Sequence, residues 1–212
     1  MRKTVGLVAS LAVVVAGLAL VGFFVAQNFN GAVTEGAANG SNNRATTVEE
    51  PEVSSVAGPE DNTLSLTVPK MQRIDSAAIP TAMPDEEALR VNAAVRIPGT
   101  GLPWEQETNV YIAGHELGYP LTPSFRAFYD LKKLTKGDEV YLTDADGNEY
   151  TYEVFEVLIV QPDDLWVLDP LEGRNVVSLQ GSETQMKENG ITPKRVVRAE
   201  LVDTTNSSLT VS

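Results

Sequence analysis

The chain contains no cysteine. That removes the disulfide staple, the thiolate nucleophile and the thiolate metal ligand together. It has a single histidine, His115, and a protein zinc site draws on several His or Cys ligands, so a zinc centre is not expected. Positive charge is scarce: 16 Lys and Arg stand against 29 Asp and Glu, a formal net charge of -13. Such a surface repels nucleic acid and anionic lipid, so neither is a main partner. Several common chemical signatures are missing as well. There is no G-x-S-x-G elbow, no S-x-x-K followed by K-T-G, no phosphate loop and no dinucleotide fingerprint. No cofactor is expected, and no internal repeat is visible.

What is present falls into distinct stretches. Arg2 and Lys3 precede an apolar run from Val5 to Ala26 in which Ser10 is the only polar side chain. A helix over 5–26 is long enough to cross a hydrocarbon core of about 30 Å. The run exceeds the 7–15 residues of a signal-peptide core and no clear A-x-A site follows, which favours an uncleaved anchor. The basic residues place positions 1–4 in the cytoplasm and the rest of the chain outside the cell. Residues 27–63 are rich in Asn, Gly, Ser, Thr, Glu and Pro and read as a flexible extracellular stalk. Residues 204–212 read as a disordered tail.

Between them, residues 64–203 have the pattern of a compact β domain. Residues 64–71 alternate, with Pro69 marking an edge or a bulge. A proline and an acidic first turn open a short helix over 84–93. Residues 109–114 form a buried strand. Residues 138–143 and 149–160 flank a hairpin turning at Asp146-Gly147, and 175–180 and 195–202 are the last strands. The fold class is mainly β: an eight-stranded barrel, closed or nearly so, with one or two short helices. "DADGNE" (144–149) looks like the start of a calcium loop, but it is a hairpin turn and not a twelve-residue loop between helices.

His115 stands where the strand "NVYIAG" runs out, in "VYIAGHELG". A lone imidazole is ordinarily a satisfied or exposed side chain, but its surroundings point further. The segment from Ile97 to Asp144, then "YTYEVFEVLIVQPDDLWVLDP", "GRNVVSLQ" and "RAELV", resembles sortases, the cell-wall transpeptidases of Gram-positive bacteria. The likeness covers Leu64 to Val202 and is nearest the class E or class C-like branch. It implies a sortase barrel with His115 as the catalytic histidine at the mouth of a peptide groove. It also implies a surface-protein sorting-signal peptide as partner, with a cell-wall or pilin amine as a second.

The pattern departs from the family where the chemistry should be. "LQGSET" places Ser182 where the family has its cysteine, and Glu116 follows the histidine where arginine is usual. Counting back from Ala199, the arginine position falls on Lys194, with Arg195 next to it. Strand alternation sends those two side chains to opposite faces, so one of them faces the site. A hydroxyl is a far weaker nucleophile than a thiolate and needs a positioned base with a third group to orient it. Two readings stay open. One is a cysteine-less pseudo-sortase that binds a sorting peptide or a pilus or cell-wall assembly partner. The other is an active transpeptidase or hydrolase in which Ser182 attacks, His115 is the base, and Lys194 or Arg195 steadies the oxyanion. A purely structural β domain is a third class, against which the retained Gly-His speaks mildly.

Overall fold

A computed structural model describes residues 58–207. The expected cytoplasmic end, the anchor, residues 27–57 of the stalk and residues 208–212 lie outside the described residues. Among the described residues no helix is long and apolar enough to cross a membrane.

Eight strands form one sheet: β1 (Leu64–Thr67), β2 (Ala77–Ile79), β3 (Ala94–Arg96), β4 (Thr108–Gly114), β5 (Glu139–Thr143), β6 (Glu149–Val160), β7 (Asn175–Ser182) and β8 (Lys194–Thr205). The one α-helix among the described residues, α1 (Ala88–Val91), is shorter than the stretch expected over 84–93. The order is β2-β1-β5-β6-β8-β7-β4-β3. The two ends nearly meet: Arg96 donates its N–H to Pro80 O at 2.9 Å and accepts Ala82 N–H at 3.1 Å. A mainly β, nearly closed eight-stranded barrel is what the strand pattern predicts. The three-residue β2 and β3 were not anticipated, and β8 runs to Thr205, two residues past the expected end of the domain.

Alternation along the strands divides the residues between two apolar layers. Val110 and Ile112 of β4, Val177 and Leu179 of β7, and Val197 and Ala199 of β8 face the barrel interior with Leu66, Leu142 and Tyr152. The intervening Tyr111 and Val196 lie on the outer face, packed with Val160 and Val167. Every residue of β4 is therefore buried. That explains its uninterrupted apolar run.

The outer layer is covered by the turn Leu165–Leu168, and Asn109 fastens that turn down. Its Nδ2 donates to Val167 O at 2.9 Å and Asp169 O at 3.1 Å, while its Oδ1 accepts the Ser178 hydroxyl at 2.7 Å.

The β5–β6 hairpin is organised by one carboxylate. Asp144 accepts the N–H groups of Asp146 and Asn148, the Asn148 amide and the Tyr150 hydroxyl, at 2.9–3.0 Å. Gly147 takes φ +83° in that turn, a conformation that favours glycine. With its oxygens so occupied, Asp144 serves the turn and not a cation. Asp144→Ala strands four donors, one of them from a buried tyrosine. It is expected to lower stability by about 1–3 kcal/mol, read as a shift in the chemical denaturation midpoint.

Candidate active site

The parallel pairing of β4 with β7 builds the candidate site. Thr108 lies opposite Asn175, and the register continues to Ala113 opposite Gln180. Both strands then end at the same rim, with His115 just beyond β4 and Ser182 closing β7. β8 runs antiparallel to β7, and its first residue, Lys194, lies opposite Ser182. The structure therefore brings His115, Ser182 and Lys194 to one mouth of the barrel.

Gly114 makes this end compact. A Cβ there would come within 2.5 Å of Cδ1 of Phe128, so glycine lets that ring close over the end of β4.

The alternation expected for Lys194 and Arg195 holds. Lys194 lies on the outer face and donates from Nζ to Ser182 Oγ at 3.2 Å. Arg195, opposite Gly181, lies on the inner face and donates from Nε to Glu183 Oε2 at 2.6 Å. It is thus engaged with Glu183 and makes no hydrogen bond to the serine. Among the described residues, no carboxylate pairs with Lys194.

Electrostatics follow from burial. His115 is held below the usual histidine range, chiefly by desolvation and further by the positive charge of Lys194, against an opposing pull from Glu86. Its Nε2 is buried without a hydrogen-bond partner, and the ring lies edge-on to Tyr119 at 5.7 Å between centroids. The Lys194 amine is also held below the usual lysine range, by burial.

The third member of a serine triad does not come from Glu116. Its Oε2 accepts the Thr184 N–H at 2.9 Å, and its other oxygen lies 3.9 Å from Lys132 Nζ. Glu116 and Glu183 thus tie the loop after Ser182 to its neighbours. Both amides that follow the serine are occupied: Glu183 N–H donates to Pro193 O at 2.9 Å, and Thr184 N–H donates to Glu116. The crevice of about 10 Å³ that Ser182 shares with Glu116, Glu183 and Arg195 holds one water at most. A cavity of 440 Å³ lies at the opposite end of β7, lined by Asn175, Trp104 and Tyr150.

Reading the sequence missed Glu86, Tyr119 and Lys132 as neighbours of the site, and also the engagement of Arg195 with Glu183. Only the acidic segment 84–87 carried a signal, and it reads equally as an ordinary helix start. Among the described residues, no group of His, Asp and Glu could hold a metal ion.

Comparison with known proteins agrees with this architecture. A family model described as the sortase domain matches residues 66–202. No curated protein matches. Similar solved structures include sortase C-1 from Actinomyces oris, 24% identical with a TM-score of 0.56, covering 68% of this chain and 76% of that one. The pilus-related sortase C of Group B Streptococcus is 24% identical with a TM-score of 0.56, covering 69% and 70%. A lid mutant of sortase A from Corynebacterium diphtheriae is 22% identical with a TM-score of 0.56, covering 70% and 73%.

Proposed function

The chain belongs to the sortase family, and from that membership we propose that it is a membrane-anchored extracellular member that recognises a peptide without cysteine-type transpeptidation. The ligand is a sorting-signal peptide of a surface protein, or a pilus or cell-wall assembly partner. The apolar run 5–26 behind Arg2 and Lys3 supports the anchor and the outward orientation.

The observation that carries the reading is the state of the two amides after Ser182. Both N–H groups are already donating, so neither is free to receive the oxygen that becomes negative in acyl transfer. Each missing donor typically costs about 10²–10³ in rate. The arginine fork is replaced by the point charge of Lys194, and Arg195 is committed to Glu183.

The loops bordering the mouth keep a binding character. Leu117 follows His115, and Met186 and Ile191 lie between β7 and β8; all three are exposed. Apolar side chains left exposed on the loops after His115 and Ser182 are available to a peptide docking there.

The test is direct. The full chain, purified in detergent, is titrated against fluorescent peptides carrying sorting signals, and binding is followed by anisotropy. Binding should persist in Ser182→Ala, because recognition rests on the loops and not on the hydroxyl. Release of the peptide at the rate of a cysteine sortase would refute the reading, and so would absence of binding to any sorting peptide.

A further inference from the structure

Ser182 has one side-chain partner, and it is not the histidine. Among the described residues, the only hydrogen bond to its hydroxyl comes from Lys194 Nζ, at 3.2 Å. We infer that Ser182 and Lys194 form a serine–lysine dyad in which the unprotonated lysine amine, not His115, is the general base for slow acyl transfer to water. The inference rests on the peptide-recognising mouth described above and adds a residual chemistry to it.

The surroundings of Lys194 suit that role. From β7 it meets Ser182, and across β6 its partner is the uncharged Val160. The remaining titratable neighbour is His115, from the segment after β4, with Glu86 acting on that ring. Glu183, next to Ser182, is bound to Arg195 and makes no ion pair with Lys194. With no carboxylate to hold a proton on it, and with burial disfavouring its charge, the amine gives up its proton more readily than an ordinary lysine. His115 is poorly placed for the same task. Among the described residues it makes no side-chain hydrogen bond, so no group fixes the tautomer and orientation a base needs.

The step balances without any co-reactant other than water. As Ser182 Oγ bonds to the carbonyl carbon, its proton passes to the Lys194 amine. The resulting ammonium then delivers that proton to the leaving amine as the carbon–nitrogen bond breaks. Water attacks the acyl ester in the second half, giving its proton to Lys194, and that ammonium returns the proton to Ser182 Oγ as the acyl carbon–oxygen bond breaks and the peptide acid leaves. The occupied amides next to Ser182 make this slow in comparison with a thiol enzyme.

The test uses a small alkyl fluorophosphonate on the full chain in detergent. Attack by Ser182 forms an oxygen–phosphorus bond, expels fluoride and leaves a stable adduct located by peptide mass mapping. Labelling of Ser182 should rise with pH through an inflection above the histidine value of about 6.5 and below the lysine value of about 10.4. Lys194→Met should lower the rate about a hundredfold, the scale of a general base. An inflection below about 6.5 would transfer the role to His115 and overturn the dyad. So would labelling of Lys194→Met at the wild-type rate, or a wild-type rate no faster than that of urea-unfolded protein. The pH profile needs no variant, so it decides the matter even if Lys194→Met does not fold. Loss of labelling with peptide binding intact defeats the dyad alone; loss of peptide binding with labelling intact defeats the recognition reading alone.

Discussion

Asn109→Ala is expected to lower folding stability by about 3 kcal/mol, since it leaves two carbonyls and one hydroxyl without their partner in a buried place. Asn109 is 2% exposed, so water cannot replace the lost bonds without opening the structure. The three partners come from different places: Val167 and Asp169 from the β6–β7 connection, and Ser178 from β7. The loss therefore reaches beyond β4. It detaches the turn Leu165–Leu168 from the outer layer and uncovers Tyr111 and Val196. In a domain of this size the change corresponds to a fall in Tm on the order of 10 °C, measurable by calorimetry. Asn109→Asp makes the same point with almost no change of shape. It keeps an acceptor for Ser178 but turns a carboxylate toward two carbonyls, and is expected to destabilise at least as much. A shift below 2 °C in both variants would show that the turn is held by its apolar contacts alone.

The second large effect concerns the missing thiol. In Ser182→Cys the sulfur takes the place of the hydroxyl that Lys194 contacts. An ammonium at that position favours the thiolate, and cysteines beside Lys, Arg or protonated His fall well below the ordinary value of about 8.5. Alkylation by iodoacetamide at pH 7 should therefore run roughly tenfold faster than for a free cysteine, and the advantage should disappear in Ser182→Cys/Lys194→Met. Release of a sorting peptide should nevertheless stay near background, because the two neighbouring amides remain engaged. A Ser182→Cys variant that cleaves at the rate of a cysteine sortase would show that only the nucleophile had been lost.

How far the sequence could be read depended on the range of the interactions. The strands β4 to β8 announce themselves by apolar runs or alternation and by the Asp-Gly turn. β2 and β3 do not, because three residues carry no period and those strands exist through pairing with β1 and β4. The facing of Lys194 could be counted from Ala199, since alternation is local and no irregularity interrupts the β7–β8 pairing. By contrast, the partner of Arg195 lies twelve positions away and that of Asn109 lies 58 or more. No local pattern announces such pairs. Glu116 lies beyond the end of β4, where strand alternation no longer says which way a side chain points, and its use, accepting the amide of Thr184, required the fold.

The parallel contact between β4 and β7 has a kinetic consequence. Tyr111 and Gln180, joined by a 2.8 Å hydrogen bond across it, are 69 residues apart, whereas the β5–β6 and β7–β8 pairs close over short connections. Loop closure over such a span is entropically slow and yields nothing until the strands dock. A chain part-way through folding can hold both hairpins while His115 and Ser182 are still remote from each other. The mouth, like the β1–β5 contact, is therefore assembled only by long-range closure of the barrel.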